Sequence, residues 1–119
     1  GGQLGTIVSS NYYKNDIKSL GDDQVEDVVM NLRPVSFKYN GDDQHQHFGL
    51  IAEEVAEVVK DKPDLAELVV KRNDKPHTVG YHLLPTLLLK HVQKQQALLD
   101  SHAQEIAELK ALLNTKTNA

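Results

Sequence analysis

The stretch that decides the fold is 83–113, LLPTLLLKHVQKQQALLDSHAQEIAELKALL, in the last third of a 119-residue chain. Apolar residues recur in it at alternating spacings of four and three, which is the period of a helix that packs lengthwise against other helices. It contains no Gly, and Pro85 falls in the first turn, where the missing N–H costs least. The sequence therefore predicts one long helix of about 30 residues, which spans about 45 Å.

A heptad frame assigns residues of this helix to the core of a coiled coil. The a positions are Val92, Leu99, Ile106 and Leu113, and the d positions are Leu88, Gln95, His102 and Leu109. Polar layers at d cost stability but penalise slipped registers and wrong strand numbers. Glu105 at g and Lys110 at the following e form the pair that links neighbouring helices in a parallel bundle.

Further leucines widen the apolar face of this helix beyond the a and d positions: Leu84, Leu87, Leu89, Leu98 and Leu112. A wide face suits three helices, or a helix that packs on a globular body at its start, better than a bare dimer. The alternative is a C-terminal helix that packs along the core of a single chain. Because the helix is longer than a domain of the remaining size needs, we expect self-association instead.

Composition excludes several classes of function. The net charge is −4 and the Lys and Arg residues are scattered, which argues against a nucleic-acid partner. The absence of Cys removes disulfides, thiolate catalysis and zinc–thiolate sites. The sequence shows neither a signal peptide nor an apolar run of about 18 residues, so it predicts no membrane segment. We expect no cofactor and no resident metal.

The chain before the long helix predicts a small α+β body with antiparallel pairing. Periodic apolar positions predict helices over 22–31 and 52–60. Alternating or apolar runs between turn signals predict two hairpins, one with strands 35–39 and 47–51 around a turn at 40–43, the other with strands 68–71 and 78–81 around 72–76. Residues 4–8 are compatible with one further short strand.

The His and Glu clusters are weak candidates for chemistry. His45-Gln46-His47 and His77 lack the Cys or carboxylate partners that would complete a metal site, so a solvated His-rich turn is the expected structure. Three copies of His102 at a threefold axis would form an anion, water, metal or pH-sensitive layer, but structural packing is the simpler interpretation. Glu53, Glu54 and Glu57 predict a solvated helix face near Lys60.

The remaining candidates are the pair Ser9-Ser10 and Lys14. A Ser nucleophile needs a base, and a Lys serves as one when burial favours its neutral form. Ser10 and Lys14 are four apart and share one face of a helix or a strand, whereas Ser9 and Lys14 are five apart and need a bend. Spacing alone makes this a weak signal.

Four blocks of sequence, taken in order, give a stronger signal of function. They are 9–17, the block LRPVSF at 32–37, the block FGLIAEEV at 48–55, and Val79-Gly80-Tyr81 leading into the Leu-rich helix. Across residues 9–113 the chain resembles the C-terminal intramolecular chaperone domain, peptidase family S74, of phage tailspikes, tail fibres, endosialidases and neck appendages.

The resemblance implies a homotrimer that helps an upstream β-rich fibre domain of the same polypeptide to fold and then cuts itself off. Residues 1–8 would end the upstream domain or linker, 9–82 would form the chaperone body, and 83–119 would form the coiled-coil helix with a frayed tail. The work would be done in the host cytoplasm during virion assembly, and the domain would be released after cleavage.

The resemblance also assigns the site. The block Lys14-Asn15-Asp16-Ile17 matches the family's Lys-x-x-Ile, which makes Lys14 the base, Ser9 the nucleophile and Val8–Ser9 the scissile bond. The family commonly has Asp after the nucleophile, where this chain has Ser10. Ser10 is therefore an alternate nucleophile, with Ser9–Ser10 as the cut.

Two rival functions remain at this stage. One is a structural trimerisation module that never cleaves. The other is a membrane-associated eukaryotic transcription factor, since one such family carries the same domain; the chain shows no transmembrane or basic DNA-binding segment that would favour it.

Overall fold

The computed structural model describes residues 8–117, without the side chain of Asp43. Its elements form an α+β domain with two separate two-stranded sheets. In chain order the helices are α1 (Asp22–Asn31), α2 (Ala52–Val59) and α3 (Leu84–Thr117), and the strands are β1 (Val35–Tyr39), β2 (Asp42–Gly49), β3 (Val69–Arg72) and β4 (Lys75–Val79). Three 3₁₀ turns complete this part of the chain, at Asn11–Tyr13, Pro63–Leu68 and Tyr81–Leu83. The predicted fold class is confirmed; most of the strand considered at 4–8 lies outside the described residues.

The first hairpin differs from its prediction in the length of its turn. Tyr39 is opposite Asp42, so Asn40-Gly41 is a two-residue connection, and Gly41 takes a positive φ of 88°, which glycine adopts at no steric cost. The predicted turn at 40–43 is too long, and the returning strand starts at Asp42 rather than at 47. The strand was missed because its first residues are polar and show no apolar alternation.

The second hairpin is also tighter than predicted. Asn73 and Asp74 have φ values of 52° and 64°, the positive pair of a type I′ turn, and Arg72 is opposite Lys75. The predicted linker at 72–76 is therefore wrong. Residues 63–68 form a 3₁₀ turn that includes Leu68, so β3 begins one residue later than predicted.

The core lies between α1, α2, the second hairpin and the start of α3. Its buried apolar residues are Val25, Val28, Val55, Val59, Leu65, Leu68, Val69, Val79 and Leu87. Helix α1 packs on α3, and α2 packs on β3 and β4. Among the described residues, β1 and β2 contribute none of this buried set, so the first hairpin stands at the side of the core.

Ion pairs surround the core and hold α1 in place. Lys62 is 8% exposed and contacts Asp27 at 2.6 Å and Asp61 at 2.9 Å. Hydrogen bonds to these two carboxylates, Asp27 first, raise the pKa of Lys62. Lys94 of α3 reaches Glu26 of α1 at 2.5 Å, and this contact raises the pKa of Lys94.

A phenol joins the end of β2 to the start of α3. Tyr81 Oη accepts the N–H of Leu50 at 2.9 Å and donates to the Leu50 carbonyl at 3.3 Å. A Cβ at Gly49 would lie 2.6 Å from Tyr81 Oη, and a Cβ at Gly80 would lie 2.8 Å from the Glu67 carbonyl oxygen. Both positions therefore require Gly for the close approach of their neighbours.

Helix α3 has two parts with different surroundings. Leu87 and His91 are buried against the body. From Gln95 to Thr117 every residue is exposed, so about 33 Å of helix extends beyond the body at about 1.5 Å per residue. Packing along the chain's own core, the alternative considered above, applies to the first three turns of the helix. Within residues 8–117, no helix combines the length and apolarity needed to cross a membrane.

Candidate functional site

The proposed dyad is in contact in the folded chain. Lys14 Nζ donates to Ser9 Oγ at 3.0 Å, within the reach that proton transfer requires. The bend that a five-residue separation needs is the 3₁₀ turn Asn11–Tyr13. Its end is held by the Lys14 N–H, which donates to the Asn11 carbonyl at 3.2 Å. The turn therefore carries Lys14 back over Ser9.

Ser10 faces a different partner. Its backbone is extended, with φ −63° and ψ 142°, and its Oγ accepts the N–H of Tyr12 at 3.2 Å. This is the geometry of an N-cap residue. The four-residue spacing of Ser10 and Lys14 does not produce the side-chain contact, whereas the five-residue spacing of Ser9 and Lys14 does.

The dyad lies on an arm that a single chain leaves in water. All residues from Val8 to Ser19 are exposed, and Leu20 is the first half-buried one. Tyr12 and Tyr13 are 84% and 69% exposed, with their rings in edge contact at 4.9 Å. A lysine acts as a general base in its neutral form, which removal from water favours. One chain therefore supplies the geometry of the pair without its desolvation.

The exposed face of α3 is the second part of the candidate site. Six predicted core positions are apolar and between 49% and 63% exposed: Leu88, Val92, Leu99, Ile106, Leu109 and Leu113. The polar d residues Gln95 and His102 are exposed as well. A continuous exposed apolar surface of this kind marks an interaction site. The chain thus leaves its whole predicted coiled-coil face unpaired.

An apolar groove continues this face onto the body. It has a volume of about 720 Å³ and lies between the end of α1, the first hairpin and the start of α3. Its lining includes Leu84, Leu88 and Tyr81, together with Phe48, which is 91% exposed. Sequence reasoning missed this groove, because its lining comes from segments far apart in the chain.

A contact that sequence reasoning also missed joins the LRPVSF block to the FGLIAEEV block. Arg33 donates to both carboxylate oxygens of Glu54, at 3.0 and 2.6 Å. These hydrogen bonds lower the pKa of Glu54 and raise that of Arg33. Glu54 is therefore paired rather than merely solvated, and the pair ties the end of α1 to the start of α2. Glu57 follows its prediction, with Lys60 at 2.5 Å.

The histidines lie in a strand, so the predicted His-rich turn is wrong. His45 and His47 both belong to β2. His45 Nδ1 lies 3.2 Å from Asp42 Oδ1, and the His47 ring stacks on Phe37 with centroids 5.8 Å apart. Among the described residues, no three His, Asp or Glu side chains come together as metal ligands would.

Fold and site together define a class of protein: a small α+β domain that carries a projecting helix with an unpaired heptad face and a Ser–Lys contact ahead of its first helix. The sequence model of peptidase family S74, described as "Chaperone of endosialidase", matches residues 9–69, slightly more than half of the chain. The chain belongs to this family, and the resemblance inferred from the sequence is confirmed at that level. A comparison with curated proteins found no match.

The family description assigns a chaperone role, and the family name a peptidase class. The matched range begins at Ser9 and ends at Val69, the first residue of β3. The second strand of that hairpin and the whole of α3 lie beyond it.

Proposed function

We propose that this chain is an intramolecular chaperone that forms a homotrimer, assists folding of an upstream fibre or appendage domain of the same polypeptide, and then releases itself by cutting Val8–Ser9. The cycle would run in the host cytoplasm during virion assembly. The observation that carries the proposal is the 3.0 Å hydrogen bond from Lys14 Nζ to Ser9 Oγ in a chain of the chaperone family.

The chemistry is a single-turnover acyl transfer. Neutral Lys14 takes the proton of Ser9 Oγ, and Oγ attacks the carbonyl carbon of Val8. The bond from that carbon to the Ser9 nitrogen breaks, the nitrogen takes the proton from Lys14, and an ester remains. Water hydrolyses the ester and leaves the carboxylate of Val8 and a free amine and hydroxyl on Ser9. Nothing turns over a second time, because the substrate is the chain itself.

Assembly supports both the chaperone role and the timing of the cut. Trimeric β-rich fibres depend on distant contacts, so holding three chains together lowers the entropic cost of nucleation. The unpaired apolar face of α3 is suited to holding them. A neighbouring chain that covers the exposed arm would desolvate Lys14 and favour its neutral form. Cleavage would then follow correct assembly.

The second candidate is a trimerisation module that does not cleave. The exposed heptad face of α3 favours it independently of the dyad, since that face needs no chemistry to pair. The two candidates differ in what Ser9 and Lys14 do.

Intact mass of a fusion separates these candidates. A folded reporter domain is joined ahead of Gly1, and the wild type is compared with Ser9→Ala and with Lys14→Arg, which keeps the charge but cannot be deprotonated. We expect two fragments from the wild type, with Ser9 at the new N-terminus, and one uncut mass from each variant. Light scattering should give a trimer for all three.

Trimers without any cut in the wild type would establish the non-cleaving module. A wild-type fragment that begins at Ser10 would move the scissile bond to Ser9–Ser10. Monomers by light scattering at every concentration would overturn the assembly on which both candidates depend.

A further inference from the structure

We propose that Ser10 is a positioning residue for the cut at Val8–Ser9: its hydroxyl caps the 3₁₀ turn that holds Lys14 against Ser9. The inference rests on the proposed function and adds a role that is distinct from the alternate nucleophile considered above. It follows from where the Ser10 hydroxyl is used in the folded chain.

Three hydrogen bonds to successive backbone N–H groups close the turn at Asn11–Tyr13. Ser10 Oγ accepts the Tyr12 N–H at 3.2 Å, and the Ser10 carbonyl accepts the Tyr13 N–H at 3.1 Å. The Lys14 N–H then closes on the Asn11 carbonyl at 3.2 Å. Each of the three successive N–H groups is satisfied, and the chain leaves the turn with Lys14 Nζ on Ser9 Oγ.

The turn lies in an exposed arm of the chain. Every residue from Val8 to Ser19 is exposed, so this described stretch has no buried side chain of its own to hold the turn. Isolated turns of a few residues are marginal in water, since few hydrogen bonds offset the fixed dihedrals. A side-chain cap therefore changes the population of the turn, and with it the fraction of time that the dyad is in contact.

An N-cap side chain has to accept a hydrogen bond from a backbone N–H of the turn. Asn, Asp and Ser are the best N-cap residues, and Ala is poor. Ser10 meets this requirement with its Oγ, and an Ala at this position would leave the Tyr12 N–H without a side-chain acceptor.

The test uses the reporter fusion and measures the rate of cutting for Ser10→Ala, Ser10→Asn and Ser10→Asp. Ser10→Ala should cut about 5-fold more slowly, which corresponds to about 1 kcal/mol of lost cap. Ser10→Asn and Ser10→Asp should restore the wild-type rate within about 2-fold, since both accept the Tyr12 N–H and cap as well as Ser does. The matched control is Ser19→Ala, an equally exposed serine of the same arm, which should cut at the wild-type rate.

Two further readouts distinguish positioning from a general loss of structure. The pH dependence of the rate should keep its shape in Ser10→Ala, because the acid and base are unchanged and only their contact is rarer. In Ser9→Ala, which does not cut, hydrogen exchange of the Tyr12 amide should quicken when Ser10→Ala is added and slow again with Ser10→Asn.

Each outcome decides. Ser10→Ala at the wild-type rate, while Ser9→Ala and Lys14→Arg stay uncut, overturns the positioning role and leaves the proposed function standing. Complete loss of cutting in Ser10→Ala, Ser10→Asn and Ser10→Asp alike makes Ser10 the nucleophile and also overturns it. An uncut wild type rejects the cleavage itself, and the positioning role with it.

Discussion

At the scale of single residues, close approaches of neighbouring oxygens account for the glycines of two sequence blocks. Tyr81 Oη occupies the space where Gly49 would carry a Cβ, and its two hydrogen bonds to Leu50 close β2 on the start of α3. Gly80 leaves room for the Glu67 carbonyl in the same way. The FGLIAEEV block and Val79-Gly80-Tyr81 are thus two halves of one contact.

Gly49→Ala and Tyr81→Phe should therefore be non-additive. Alone, Gly49→Ala should cost about 1–3 kcal/mol of overpacking, and Tyr81→Phe about 1 kcal/mol of lost hydrogen bonding. In the double variant the added Cβ meets no oxygen, so the total should fall short of the sum by at least about 0.5 kcal/mol. Urea unfolding of the four chains measures the difference. An additive result would mean that Tyr81 Oη is not the group that excludes a Cβ.

At the scale of elements, α3 is one helix with two different surroundings along its length. Its first turns bury Leu87 and His91 in the body, while Leu88 and the later heptad residues point into water. Local periodicity was enough to predict the helix and its heptad frame. It did not show that the residue next to Leu88 belongs to the core of the same chain.

The same substitution at two adjacent leucines should therefore have very different effects on the stability of the single chain. Leu87→Ala, at a residue 4% exposed, should destabilise the single chain by about 2–5 kcal/mol. Leu88→Ala, at a residue 49% exposed, should change it by less than about 0.5 kcal/mol. Unfolding in urea at a concentration low enough to suppress association measures both.

Sedimentation at high concentration completes the comparison. Leu88→Ala should weaken self-association, because a d position is lost from every chain. Equal destabilisation of the dilute single chain by both changes would show that Leu88 also belongs to the body.

At the scale of the whole molecule, one chain leaves two regions exposed. The heptad face of α3 runs into the groove beside Phe48, and the arm that holds Ser9 and Lys14 is wholly exposed. The single chain folds its own body but leaves these surfaces without partners in the described residues. Its proposed chemistry depends on what other copies cover.

Ile106→Asp should separate folding from assembly. The residue is 52% exposed at an a position, so a charge there should leave the dilute single chain stable but remove the trimer. The matched control is Ala107→Asp, one residue along the same exposed part of the helix and off the a and d positions. Light scattering should give monomers for the first and trimers for the second.

Cutting of the reporter fusion should follow assembly in the same pair. Ile106→Asp should leave the fusion uncut, because no neighbour removes Lys14 from water, and Ala107→Asp should cut like the wild type. Normal cutting by a monomeric Ile106→Asp would contradict the proposed coupling of cleavage to assembly, although the dyad itself would stand.

The sequence by itself determined the elements whose signal is local. Apolar periodicity, the stops before Pro34 and the Pro85 start were enough for α1, α2 and α3, and β1 was found from its alternation. The motif blocks identified the family, whereas the catalytic roles of Ser9 and Lys14 stay a prediction. These succeed because a helix or a half-buried strand carries its own pattern, and a motif is a property of order along the chain.

Tertiary structure alone decided what depends on contacts across the chain. Three features join positions that no local pattern relates. They are the pairing of the polar start of β2 with β1, the pairing of Arg33 with Glu54, and the hydrogen bonding of Tyr81 to Leu50. A turn determines the partners of Ser9 and Ser10, since its hydrogen bonds leave one hydroxyl at Lys14 and the other at the Tyr12 N–H. Spacing states which residues are near in sequence, but the path of the backbone determines which atoms meet.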